Sequence, residues 1–257
     1  KGYGVKQDYI IAKYYYELSA KLYNSDALNN LGILYEKGHG VKQDYDKAKD
    51  YYESSGILSN SKALYNLGNL YAKGLGVNQI YSLAEICFKM SANLDNSDAF
   101  YSLGNLYEKG LGVKQNIIKA LNFYELSVKF NNFRATIQLG DLYLNGEFFD
   151  ADIEKAIFYY TKCSSIHHQY ITAKYSRECI YEFNKYQYRS SNNLGLVYLI
   201  YLHDIEKSVK YIKIAANNEY PYGQNNYGLL LLFYLNQKEN ASYMFEKSSK
   251  HNFALAE

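Results

Sequence analysis

LGILYEKGHGVKQDYDKAKDYYESSG, Leu31 to Gly56, recurs along the chain. LGNLYAKGLGVNQIYSLAEICFKMSA begins at Leu67, LGNLYEKGLGVKQNIIKALNFYELSV at Leu103, and a weaker LGDLYLNGEFFDADIEKAIFYYTKCS at Leu139, each start 36 residues after the last. A fixed period of this size marks a solenoid, because a single unit cannot bury its apolar face without a neighbour. The expected fold is therefore all-α, a superhelix of stacked helix-turn-helix repeats.

Within the unit, Ala27, Leu28, Leu31, Leu34 and Tyr35 fall at spacings of three and four, the pattern of an amphipathic helix. This predicts helix A over Ser25–Lys37, with Asn24, Ser25 and Asp26 able to cap its first turn. Gly38 stops it, since glycine accepts the left-handed conformation of a helix end, and Gly74 and Gly110 do the same one and two repeats on. Helix B is expected from Asp44 to Ser55, with Ala48, Tyr51, Tyr52 and Ser55 inward. Gly32, Gly68, Gly104 and Gly140 sit in mid-helix, where glycine costs about 1 kcal/mol against alanine. A penalty repeated at one register points to close approach of another helix.

One array is expected to run the length of the chain. It comprises a partial repeat at 1–24, repeats at 25–60, 61–96, 97–132 and 133–164, a degenerate insertion at 165–187, looser repeats at 188–217 and 218–250, and the start of another at 251–257. In the insertion, Ala173–Tyr181 has the spacing of a helix A, with Arg177 and Glu178 where Leu and Gly are expected. KGYGVKQDY at Lys1 matches KGHGVKQDY at Lys37, so the chain is expected to be a segment of a longer one. The first helix, lacking a preceding helix A, is expected to expose its tyrosine-rich face.

The 28 basic and 26 acidic residues leave a net charge of +2, which argues against nucleic-acid binding through a broad basic surface. No apolar run reaches the ~20 residues needed to span a bilayer. Cys87, Cys163 and Cys179 form no CxxC pair, and Cys87 shares its register with Tyr15, Tyr51, Phe123 and Tyr159, so it reads as a packed thiol. A disulfide framework is not expected, and a reducing, cytoplasmic compartment fits. Gly38-His39-Gly40-Val41 looks like half a dinucleotide fingerprint, but a helix precedes it and the third glycine is missing. Adjacent His167 and His168 point to different faces of a helix and make a poor metal pair. No nucleophile–base pairing stands out. Neither a cofactor nor a metal site is expected, and the chain reads as a non-enzyme.

The run A-L-x-N-L-G-x-L-Y-x-K-G-x-G-V-x-Q, followed by A-x-x-Y-Y-x-x-S, resembles the Sel-1-like repeat, a relative of the tetratricopeptide repeat. The match is specific through Ser164, looser from Leu194 to Ala256 and poor in the insertion. The resemblance implies an α/α superhelix, right-handed, and an adaptor that assembles multiprotein complexes. It also admits the endoplasmic reticulum lumen as a compartment. Some bacterial members link the two helices of a repeat by disulfides, and this chain lacks that cysteine pattern.

In the related tetratricopeptide superhelix, helix A lines the concave groove that holds peptides. Carried onto this chain, that role falls to helix A faces the core does not use: Asn30, Asn66, Ser102 and Gln138, then Ile33, Asn69, Asn105 and Asp141, then Lys37, Lys73 and Lys109. Amides offer both donors and acceptors to a peptide backbone, and lysines can receive a carboxylate. The expected function is a protein interaction scaffold binding peptide or helical segments. The competing expectation is a regulatory or targeting segment of a larger enzyme, a kinase for example, with its catalytic domain elsewhere.

Overall fold

The computed structural model describes residues 8–165 and 177–250, with the side chains of 177–180 left aside. The opening match at 1–7, the part of the insertion at 166–176 with His167 and His168, and the start of a further repeat at 251–257 with His251 lie outside the described residues, as does the side chain of Cys179. Thirteen helices and no strand occur among the described residues. They fall into two compact units, Lys1–Asn132 and Phe133–Glu257.

In the first unit, α1 (Tyr9–Ala20) is followed by α2 (Ser25–Lys37), α3 (Tyr45–Ile57), α4 (Ser61–Lys73), α5 (Tyr81–Ala92), α6 (Ser97–Lys109) and α7 (Ile117–Lys129). The even-numbered helices are the A helices. Each begins at an asparagine whose side chain accepts from the first turn: Asn24 from Ala27, Asn60 from Lys62 and Ala63, Asn96 from Asp98 and Ala99. Each ends at a left-handed glycine, Gly38, Gly74 or Gly110. Short connections make consecutive helices antiparallel neighbours. Gln43, Gln79 and Gln115 then close the A-to-B turn, each donating from Nε2 to a helix A carbonyl left open by the helix end, on Glu36, Ala72 and Glu108.

The caps also stitch repeats together. Asn60 Nδ2 donates to Asp26 Oδ1 at 2.9 Å while Asn60 Oδ1 caps α4, and Asn132 repeats the bond to Asp98 at 2.9 Å. Ser55, Ser91 and Ser127, all fully buried, donate to the opening carbonyls of α2, α4 and α6 on Ser25, Ser61 and Ser97. Each core layer joins the helix B of one repeat to the helix A of the next. Ala48 and Tyr52 pack with Ala63, Leu67 and Leu70, and one repeat on Ala84 and Phe88 pack with Ala99, Leu103 and Leu106. Cys87 and Cys163 are free and buried, and burial pushes both thiols up to about 11. Tyr15, in the same column as Cys87, is exposed, because α1 buries no residue; Ile10, Ile11, Tyr14 and Leu18 are exposed with it.

The second unit holds α8 (Phe133–Asn145), α9 (Ile153–Ser164), α10 (Arg177–Ile200), α11 (Ile205–Asn217), α12 (Pro221–Phe233) and α13 (Lys238–Lys250). From Arg177 onward, the helix read from the sequence as a separate degenerate element is continuous with the next helix A. α10 is one helix of 24 residues, and nothing in EFNKYQYRSSNN stops it, since neither Gly nor Pro interrupts. Its N-terminal half packs on α8 through Phe183 and Phe133, with ring centroids 4.5 Å apart. Its C-terminal half supplies Leu194 and Val197 to the core around Tyr160.

Candidate partner-binding face

The A helices carry the face, and a seam inside each repeat holds them. A Cβ on Gly32 would fall 2.5 Å from Tyr52 Cε1, and one on Gly68 2.6 Å from Phe88 Cε1. Gly104 meets Tyr124 and Gly140 meets Tyr160 in the same way. The close approach inferred from the glycine column is thus an aromatic ring of the repeat's own helix B resting on the helix A backbone. Burial pushes the phenols of Tyr52, Tyr124 and Tyr160 up, and each hydroxyl finds a carboxylate. Tyr52 Oη donates to Glu36 at 2.6 Å, Tyr124 to Glu108 at 2.5 Å and Tyr160 to Asp141 at 2.6 Å. Where the side chain over the glycine has no hydroxyl, the chain has no acid four residues after the glycine: Phe88 pairs with Ala72, Ile212 with Leu199 and Phe245 with Leu232.

In the first unit Asn30, Asn66, Asn69, Ser102 and Asn105 are half-buried, and Lys37, Lys73 and Lys109 are exposed at the helix ends. The rows are not uniform, however. Asn66 Nδ2 donates at 3.1 Å to Oδ1 of Asn29, a buried amide that sequence reading passed over. Asn105 Nδ2 turns back to the Tyr101 carbonyl at 3.2 Å. Asn66 therefore ties α4 to α2 as well as facing outward. The same device recurs in the second unit, where Asn226 donates to buried Asn192 at 2.9 Å. The signal was present only in some repeats, as asparagines shortly before the mid-helix glycine (Asn29, Asn30, Asn66, Asn192, Asn193, Asn225 and Asn226), and only the stacking shows which two meet.

Gln138, on α8, belongs to the second unit and is half-buried there. Asp141, in the register of Asn69 and Asn105, is half-buried like them but is held by three partners. It takes hydrogen bonds from Tyr160, from Arg189 Nη2 at 2.6 Å and from Asn193 at 3.2 Å. Burial raises its carboxyl, and those three donors pull the other way. Between α10 and the turn into α12 a cleft of about 610 Å³ is lined by Tyr181, Tyr188, Tyr220 and Tyr222, none of them expected from the sequence as binding residues.

Among the described residues no group of three or more His, Cys, Asp and Glu could hold a metal ion, and no helix is long and apolar enough to cross a membrane. Antiparallel helix pairs, a glycine–ring seam and a Gly-x-Gly turn at a constant period define the class: a helical-repeat solenoid. The chain belongs to the Sel1 repeat family, whose model matches residues 1–24, 25–59, 61–96, 97–129, 134–163 and 190–220. Repeats of this family are in general protein-interaction repeats.

Among solved structures, c5321, a protective antigen of uropathogenic Escherichia coli strains with an SLR fold, matches with a TM-score of 0.73 and 27% identity. That match covers 96% of this chain and 50% of the other, so the chain spans half the length of this relative. A Sel1 repeat protein from Oxalobacter formigenes matches with a TM-score of 0.69 and 24% identity, over 89% of this chain and 88% of the other. No curated protein matches the sequence significantly.

Proposed function

We propose that the chain is a non-enzymatic scaffold that binds an extended or helical segment of a partner protein on the A-helix face of its first unit. One observation carries the reading. On α2, α4 and α6 the apolar side chains go to the seams, while the same register on each helix presents half-exposed amides or hydroxyls followed by an exposed lysine. A row of amides at the repeat spacing suits the alternating donors and acceptors of a peptide backbone. Lys37, Lys73 and Lys109 favour acidic groups on the partner. They also complement the carbonyl ends of their helices, and this alone accounts for part of their placement. Affinity is expected to be modest, since a bound segment loses conformational freedom.

Peptides selected from a random phage-displayed library against the 257-residue chain test this. Selected peptides should be enriched in Asp and Glu, and their binding should be lost when Asn69, Lys73 and Asn105 are changed together to alanine. Asn66 is left intact because its amide holds Asn29. Changing Asp46 and Asp50 on α3 should leave binding as it is. Peptides that bind both variants equally, with folding unchanged, would show the polar rows to be ordinary solvated surface.

A further inference from the structure

The second repeat departs from the others on one side of its helix B. α3, α7, α9 and α11 start from Asp44, Asn116, Asp152 and Asp204, each side chain capping the N–H three residues on. α5 starts from Ile80 and has no side-chain cap. Ile80 is one of a set. Ile80, Leu83, Ile86, Met90 and Leu94 follow one another at spacings of three and four, and all are exposed, Ile86 at 51% and Met90 at 49%. In α3 the same register reads Asp44, Lys47, Asp50, Ser54 and Leu58. Leu58 already matches Leu94, so four choices depart from α3, and four that agree with one another, one of them at the expense of a cap, mark a functional surface.

Charges border the stripe on both sides. On one side, Ala48 and Tyr52 of α3 share a core cluster with Cys87 of α5, and the half-buried Lys49 and Glu53 follow them on α3. Burial is the main push on the Cys87 thiol of α5 and the Tyr71 phenol, and Glu53 is near enough to add to both. Glu85 and Lys89 of α5, an ion pair at 2.6 Å, run along the other edge, where Glu85 also accepts from Tyr107 Oη at 2.6 Å. Stripe and borders share one centre. Glu85 and Lys89 straddle Cys87, and Lys49 and Glu53 straddle Tyr51, its equivalent one repeat earlier. Ile80 mirrors Leu94 and Leu83 mirrors Met90 about nearly the same level, with Ile86 close to it. A two-fold axis crossing the helices there reverses their direction. It lays each lysine against a glutamate and the apolar stripe against itself. Self-complementarity of this kind is what an isologous contact requires.

We infer that the outer face of α5 is a homodimer interface whose occupant is a second copy of this chain, α5 antiparallel to α5, with Lys49 against Glu53 of the partner subunit. The stripe covers less than the roughly 800 Å² per partner of a standard interface, so the dimer is reversible and depends on concentration. Sedimentation equilibrium of the full chain over a concentration series tests it. The wild type should pass from monomer to dimer. Ile86→Lys and Met90→Lys should each weaken the dimer about tenfold or more, with an unchanged melting curve at concentrations where the wild type is monomeric, because both side chains are exposed. Ile11→Lys with Tyr14→Lys on α1 should leave it intact, which separates this face from the exposed face of α1. Lys49→Glu and Glu53→Lys should each be monomeric alone, yet a mixture of the two should dimerise, since the reversed charges then meet. A wild type monomeric throughout, a dimer insensitive to Ile86→Lys, or a mixture that stays monomeric would overturn the inference.

Discussion

Phe88 stands where Tyr52, Tyr124 and Tyr160 stand in the neighbouring repeats, and Ala72 stands where Glu36 and Glu108 do. The hydroxyl and the carboxylate are present together or absent together because a buried phenol needs an acceptor. Phe88→Tyr should therefore destabilise by about 1–3 kcal/mol, the cost of a buried donor left unpaired. Adding Ala72→Glu should recover much of the loss, and the coupling in a double-mutant cycle is expected at roughly 0.5–3 kcal/mol by urea unfolding. Gly68→Ala sets two terms against each other. Alanine gains about 1 kcal/mol as a helix former, but its Cβ would lie 2.6 Å from Phe88 Cε1, inside a buried ring. Overpacking costs about 1–3 kcal/mol, so the net change should be a loss of stability, and a gain would mean that Phe88 moves aside freely. The glycine column is legible as a period. The tyrosine–acid pairing is not, because Glu36 and Tyr52 are 16 residues apart and meet only when the two helices close.

At the scale of the element, the A helices are over-specified, with an asparagine to start and a glycine to stop each one in the first unit. Their observed bounds match those read from the sequence. The B helices are less uniform, and α5 shows it most. Ile80→Asp should supply the missing cap and stabilise the first unit by about 0.5–2 kcal/mol, read as a rise in melting temperature at concentrations where the chain is monomeric. An unchanged melting temperature would mean that the cap is supplied in another way. The turns into the A helices carry a different strain. Tyr23, Ser59, Asp95 and Asn131 recur at the period with φ of 56°, 60°, 58° and 61°, in the left-handed region. Ser59→Gly should stabilise by up to about 1 kcal/mol, less whatever the freer unfolded chain loses on folding. α10 is the one element whose extent the sequence obscured, because degeneracy of the repeat signal over 165–187 hides a helix that periodicity alone would have continued.

At the scale of the molecule, repeat contacts run between neighbours, so stability should be approximately a sum of units and seams. Residues 1–132 and 133–257, the two compact units, are each expected to fold alone into helical proteins with cooperative urea transitions. Circular dichroism of either fragment showing coil would contradict this. The candidate face was legible only in part. The rows of Asn30, Asn66 and Ser102 follow from the repeat. That Asn66 also anchors Asn29 depends on which amides of successive repeats come within 3.1 Å.

By itself the sequence determined the class, the period, the bounds of the A helices and the positions of their glycines and caps. All of these are local: hydrophobic spacing, a capping side chain and a residue that tolerates positive φ act within a few positions of one another. The tertiary structure alone decided which side chains meet. It decided the side chain over each glycine, the acid on Tyr52, Tyr124 and Tyr160, the three partners of Asp141 and the exposure of the α5 stripe. Those depend on the distance and rotation between helices that are far apart in the chain, and a periodic pattern gives the register of a residue without its neighbour.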